Sequence, residues 1–261
     1  MGAYRRLMEK YFEINEKGHN IRCKLYFGKI PDIKKVVVFC HGFAGHKDNK
    51  SAQRFAEKTV SKHKDTAIVT FNWPCHGDDV KKKLLMDDCT EYLTLVLEYV
   101  KKQFHTEDIY AYGTSFGGYM ILKYIIEHKN PFKRIALRCP AITMHEAMTK
   151  TIMKDADFEK LEKGKPCSVG FDRKVDMNLQ FLKDLESFDV RTHDYLDQAY
   201  DICILHGAKD EVIPFEESKK FADDNLIEFY PFEAADHRFS NLTDMDLATK
   251  IILEFFNLQH S

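Results

Sequence analysis

The sequence lacks any apolar run near the roughly 20 residues that a membrane-crossing helix needs, so no membrane span is expected. Nor has it a surplus of either charge: 39 basic residues stand against 41 acidic ones, a formal net charge of −2. Such a chain has no field to gather nucleic acid or an anionic membrane, and neither is expected as a partner. None of its 7 cysteines forms a C-x-x-C pair, and their odd number argues against a disulfide framework, so reduced thiols are expected. Its 12 histidines include no H-E-x-x-H or similar ligand spacing; no metal and no cofactor is expected. Internal repeats and disordered tracts are missing as well. The stretch Met1-Gly2-Ala3-Tyr4-Arg5-Arg6 leads into charge rather than the apolar core of a signal peptide, which points to a cytoplasmic location.

What is present is an alternation of strand and helix patterns. With 44% apolar residues in 261 positions, the chain is long enough to bury a sizeable core, and the alternation favours one α/β domain. Short apolar runs at residues 11–14 and 21–27, around Glu16-Lys17-Gly18-His19-Asn20, read as a hairpin at the edge of the sheet. Lys35-Val36-Val37-Val38-Phe39-Cys40 is the β-branched run of a central strand covered on both faces, and it ends in His41-Gly42-Phe43-Ala44-Gly45. Helical spacing over 51–61 precedes a strand at 66–71, which ends at Asn72-Trp73-Pro74-Cys75-His76-Gly77-Asp78. An amphipathic helix follows over 87–104. A central strand over 134–137 is closed by Arg138-Cys139-Pro140, and later strands are expected at 202–206 and 226–230, with helices at 215–223 and 244–256.

Residues 143–195 break the pattern, being rich in charge, methionine and phenylalanine. They are expected to form a cap inserted into a core of residues 1–142 and 196–261. Met144, Met148, Met153, Phe158, Phe171, Met177, Phe181, Leu182 and Phe188 are expected as a group to share in lining an apolar acyl or aryl pocket. Taken singly, most would merely fix the cap to the body.

The chemistry centres on Tyr112-Gly113-Thr114-Ser115-Phe116-Gly117-Gly118, set between an apolar run and a helical one. Strand, sharp turn and helix in that order form the context of a nucleophile elbow, with Gly113 and Gly117 leaving room around Ser115. Serine is a weak nucleophile near neutral pH and needs a histidine base and a carboxylate to orient it. Asp210 and His237 both follow strands, and the order Ser, Asp, His suits a sheet whose loops gather at one edge. Among rivals, His41 and His206 have no acid placed to orient them, Glu211 and Asp236 are expected to be solvated, and Cys75 lacks an elbow. For the oxyanion, the backbone N–H groups of Phe116 and Phe43 are the expected donors, with His41 structural.

These segments, His41-Gly42-Phe43-Ala44-Gly45, Cys75-His76-Gly77-Asp78, the Ser115 elbow, Gly207-Ala208-Lys209-Asp210 and Asp236-His237, occur in the order of the α/β-hydrolase superfamily, which the chain resembles along nearly all its length. They look most like bacterial cinnamoyl or feruloyl esterases and their monoacylglycerol-lipase-like relatives. The resemblance implies an eight-stranded, mostly parallel sheet flanked by helices with an inserted cap, and cleavage of a small-molecule carboxylic ester through an acyl-enzyme. Those esterases usually carry G-H-S-x-G-G; Thr114 and Phe116 make this elbow similar also to that of prolyl-oligopeptidase-type serine peptidases. No propeller domain accompanies it, so an esterase is expected first, with a peptidase or amidase, or a low-turnover ligand-binding protein, as alternatives. The oligomeric state stays open, a homodimer included.

Overall fold

Residues 7–28 and 33–258 are described by the computed structural model. The N-terminal stretch 1–6, on which the cytoplasmic reading leaned, lies outside them.

The hairpin is longer than its apolar runs. Strand β1 (Met8–Glu16) pairs antiparallel with β2 (His19–Phe27), and His19 and Asn20 belong to the ladder rather than to the turn. The turn is Lys17-Gly18, with φ of 48° and 76°, the left-handed pair whose twist matches the flanking strands. Strands β3 (Lys35–Cys40) and β4 (Thr66–Phe71) are buried at every position, as their β-branched runs require. With β5 (Ile109–Thr114), β6 (Ile135–Arg138), β9 (Ile202–Gly207) and β10 (Glu228–Phe232) they complete one eight-stranded sheet in the order β1-β2-β4-β3-β5-β6-β9-β10. Only β2 runs against the rest, so the sheet is mostly parallel, as expected.

Alternation along the strands divides the core in two. Val37 and Phe39 face Phe55 of α1 (Lys50–Lys62) and Ile252 of α8 (Leu242–Phe256), whereas Val36 and Val38 face Leu93 of α2 (Met86–Phe104) and Met120 of α3 (Phe116–Glu127). Six of the seven cysteines are buried and Cys75 is half-buried, all of them free thiols. Burial, reinforced by Asp79, pushes the Cys75 thiol up to about 12. No described helix is long and apolar enough to cross a membrane.

Residues 143–195 add a short helix α4 (Met144–Glu146) that runs into a π-helical turn (Ala147–Ile152), then α5 (Asp155–Glu162). A small ribbon of β7 (Cys167–Val169) and β8 (Val175–Met177) follows, and then α6 (Leu179–Ser187). The segment is tied down by polar contacts as well as by apolar ones. Asn178 Nδ2 donates to Leu84 O at 2.7 Å and the Tyr119 hydroxyl to Phe188 O at 3.0 Å. Arg191 meets Asp189, Glu146 and, at 3.2 Å, Glu217 of α7 (Phe215–Asp224).

Candidate active site

Ser115 sits between the end of β5 and the start of α3 with φ 50° and ψ −119°. A non-glycine residue there stores strain, on the order of 1–3 kcal/mol, and keeps that conformation only where its surroundings hold it. They do: Ser115 N–H donates to Arg138 O at 3.1 Å, and Ser115 O accepts from the N–H groups of Gly118, Tyr119 and Ala141 at 2.9, 3.1 and 3.0 Å. The flanking glycines serve close approach. A Cβ on Gly117 would lie 2.1 Å from Cys40 O, and one on Gly113 would lie 2.8 Å from Gly118 Cα.

Asp210 is brought under the serine by a turn closed by its own N–H on Gly207 O at 3.1 Å. Its side chain is fully buried and saturated. Oδ1 accepts from the Val212 and Ile213 N–H groups, each at 2.8 Å, while Oδ2 lies 2.8 Å from His237 Nδ1 and 3.0 Å from His206 Nε2. Burial by itself would raise the carboxyl pKa, but the bonds from His206 and His237 outweigh it and hold the group far below the usual carboxylate range. With Nδ1–H donated to this carboxylate, His237 Nε2 is left as the acceptor for the Ser115 hydroxyl, 3.1 Å away. The three residues expected from sequence thus form one hydrogen-bonded chain.

The rivals are placed differently from expectation. His206 does have an acid, the same Asp210, and its Nε2 also lies 3.2 Å from Ile213 O. Cys139, His206 and Asp210 form the one cluster with metal-ligand spacing among the described residues. Four donors already occupy the lone pairs of Asp210, so that carboxylate has none for a cation. Glu211 is exposed as expected but accepts from His237 N–H at 3.3 Å, and Asp236 accepts from Ser240 N–H at 2.8 Å. Both carboxylates brace the histidine loop rather than simply facing solvent.

Residues 41–45 run against the serine: a Cβ on Gly42 would lie 3.1 Å from Ser115 Cβ. The N–H groups of Phe43 and Phe116 have no acceptor among the described residues, a prerequisite for receiving an oxyanion. The loop is held by Gly45 N–H on Gly42 O at 2.9 Å, His41 Nδ1 on the same oxygen at 2.8 Å, and Trp73 Nε1 on His41 O at 2.9 Å. Burial, with His76 close by, pushes His41 down to about 3, and burial pushes His76 down to about 4, so both rings are neutral. The Phe116 ring is fully buried, stacked 6.3 Å from His76, and packs the core rather than narrowing an acyl site. Phe43 stands edge-on to Phe116 at 6.1 Å and meets Phe181 of the 143–195 segment at 6.4 Å.

Ser115, His237 and Phe43 open into a cavity of about 510 Å³. Of the nine apolar residues expected to share its lining, only Phe171 does so. Met144, Met148, Met153, Met177, Phe181 and Leu182 are instead buried in the core, and Phe158 and Phe188 pack against it. The space is apolar for the larger part of its lining, through Phe43, Ile152, Phe171 and Val212, but Arg138, Arg173, Arg238, Asp172 and Glu211 line it too, which the sequence did not lead one to expect.

The profile of the prolyl oligopeptidase family matches residues 72–260, most of the chain. The chain belongs to the prolyl oligopeptidase family. No curated protein matches it in sequence. Among solved structures, a putative hydrolase from Agrobacterium vitis S4 superposes with a TM-score of 0.76 at 16% identity over 97% of this chain and 100% of that one. Est1E from Butyrivibrio proteoclasticus, solved with ferulic acid bound, gives 0.78 at 18% over 94% and 99%. An esterase of Pyrococcus furiosus, Pf2001, gives 0.72 at 17% over 96% and 92%. At such identities the likeness is one of fold, the α/β-hydrolase fold, and it spans this prolyl oligopeptidase family member almost end to end. The family match covers Ser115, Asp210 and His237 but starts after the loop that carries Phe43.

Two neighbours of the Ser115–His237–Asp210 chain were missed in sequence. His206 had a signal, the His-x-x-x-Asp spacing across a tight turn, which lets the two side chains meet. Arg138 had none, because its partners come from α1 and α8.

Proposed function

We propose that this family member is a serine carboxylesterase that cleaves small or medium acyl or aryl-acyl esters through an acyl-enzyme. The observation that carries the reading is the chain from Ser115 Oγ to His237 at 3.1 Å and on to Asp210 at 2.8 Å, opening into a cavity. As Ser115 Oγ attacks the ester carbonyl carbon, His237 Nε2 takes the hydroxyl proton, and the ionised Asp210 stabilises the imidazolium. The carbonyl oxygen becomes an oxyanion facing the Phe43 and Phe116 N–H groups, each donor worth about 2.7–4 kcal/mol of barrier. Collapse expels the alcohol, which receives the proton from His237. Water then repeats the sequence on the acyl-enzyme and releases the acid. The ferulic acid bound to Est1E lends support to an aryl-acyl group.

Membership of the prolyl oligopeptidase family favours a second reading, a serine peptidase or amidase using the same residues. The experiment is steady-state hydrolysis of p-nitrophenyl esters of graded chain length, methyl ferulate and matched peptide amides, with Ser115→Ala as control. Ester turnover that is lost in Ser115→Ala, by about a thousandfold or more, is expected. Faster cleavage of the matched amides would transfer the proposal to the peptidase. Equal rates in wild type and Ser115→Ala would overturn both.

A further inference from the structure

Arg138 ends β6, paired with Thr114 of β5, and is only 6% exposed. Its Nη1 donates to Ser51 Oγ at 3.2 Å and lies 2.9 Å from Met245 Sδ, and its guanidinium carbon stands 5.3 Å from the Phe239 ring centre. Its Nε is buried with no hydrogen-bond partner. No carboxylate lies within ion-pair distance of it among the described residues. Hydroxyl, thioether and ring face are weak partners for a buried cation, and a charge so placed is costly unless an anion joins it.

The surroundings are suited to an anion. Ser51 belongs to the first turn of α1, which contains no acidic residue; Asn49 Oδ1 caps the Ala52 N–H at 2.7 Å, but no negative charge within that turn offsets the positive end of the helix dipole. Asn49, Ser51 and Arg138 line the same cavity as Ser115. The other charges at the cavity are mostly engaged: Arg238 pairs with Asp172 at 2.6 Å, and Glu211 accepts from His237 N–H. Arg173, exposed at the rim, has no ion-pair partner among the described residues. Guanidinium presents parallel N–H groups that match the two oxygens of a carboxylate.

We propose that Arg138, Ser51 and the N-terminus of α1 form a subsite for a carboxylate of the substrate, so that esters bearing a free acid group are preferred over neutral ones. The proposal deepens the esterase reading and rests on Ser115 being the nucleophile of this cavity.

The test compares kcat/KM for p-nitrophenyl hemiglutarate and p-nitrophenyl valerate in wild type, Arg138→Met and Ser51→Asp. Ser51→Asp places a carboxylate where the helix dipole favours it and where it can neutralise the guanidinium, so it guards against a variant that fails to fold. Wild type is expected to prefer the hemiglutarate by about tenfold or more, mainly through KM, and both variants to bring the ratio near unity. A ratio near unity in wild type, or a preference that survives Ser51→Asp, overturns the subsite.

Calorimetry of monomethyl glutarate on Ser115→Ala, with and without Arg138→Met, gives a reading that needs no turnover. Binding that Arg138→Met removes, in an enzyme inactive on every ester, would support the subsite and overturn the esterase. Equal turnover of both esters without such binding would do the reverse. Inorganic phosphate competing as well as monomethyl glutarate would overturn the carboxylate assignment in favour of a phosphoryl group.

Discussion

His206 and His237 converge on one saturated carboxylate, whereas His41 and His76 lie 5.5 Å apart beneath the Phe43 loop and bond only to backbone carbonyls. His41, His76 and His206 are all essentially buried, and His237 nearly so. What differs is the counter-charge. Beside Asp210, imidazole N–H groups serve as fixed donors to an anion, and a proton arriving on His237 finds a negative partner waiting. Beneath the loop, burial without a carboxylate rejects a proton, so the ground under the Phe43 N–H keeps a constant, neutral charge. In the proposed reaction the first region stores charge as it develops, and the second holds its geometry by refusing charge.

The largest effect is expected from Asp210→Asn, which abolishes the distinction between the two pairs. An amide cannot accept from His206, His237, Val212 and Ile213 at once, so the His237 tautomer is no longer fixed. The expected loss is about 10⁴-fold in kcat on a p-nitrophenyl ester, with the circular dichroism of the fold retained. A loss below tenfold would break the comparison.

His206→Phe is expected to be milder. It removes one of four donors to an ionised group, at a stability cost of about 1.5–3 kcal/mol measured by urea denaturation. The folded pKa of Asp210 is depressed, so its stabilising contribution is present above the unfolded carboxyl pKa and is lost as pH falls through the folded one. With one donor gone the depression shrinks, and acid unfolding should begin at higher pH. His206→Gln, which restores an N–H donor, should recover part of the difference.

The smallest effect sharpens the other pair. His41 and His76 have folded pKa values of about 3 and about 4, below the unfolded 6.5, so the unfolded chain takes up their protons first. Stability therefore falls as pH drops below the unfolded value, by about 0.7 kcal/mol per ring between pH 7 and 6. His41→Asn keeps a donor for Gly42 O but cannot titrate. It should remove one ring's share, about half of the pair's combined fall, from the difference in urea midpoints at the two pH values, and an unchanged slope would count against the neutral pair.

Much of this was legible in the chain. Continuous β-branched runs and helical spacing located the sheet and its helices, because core burial dictates those periods directly. The meeting of Ser115, Asp210 and His237 was legible because the proposed chemistry calls for those three residue types at strand ends. Arg138 was not: the β6 strand runs one residue beyond its apolar pattern, to Arg138, and Ser51 lies 87 positions away, so only tertiary packing joins them. His206 was misread because its acid is reached through a turn that folds back on the strand end. Met144, Met148 and Met177 pack into the core, as each was expected to when taken singly; that they would share in a lining as a group was not legible, because core and ligand-lining methionines are chemically alike.

The buried, protonated thiols have a practical corollary for spectroscopy. Six cysteines are shielded and the seventh, Cys75, is held almost wholly in its unreactive form near neutral pH. Phe171, at the mouth of the cavity, is 48% exposed. A single cysteine introduced there by Phe171→Cys would be the preferred target of a maleimide dye, so the natural background needs no prior removal. Such a variant would carry one fluorescent reporter beside the Ser115 cavity, and would record in real time what enters it.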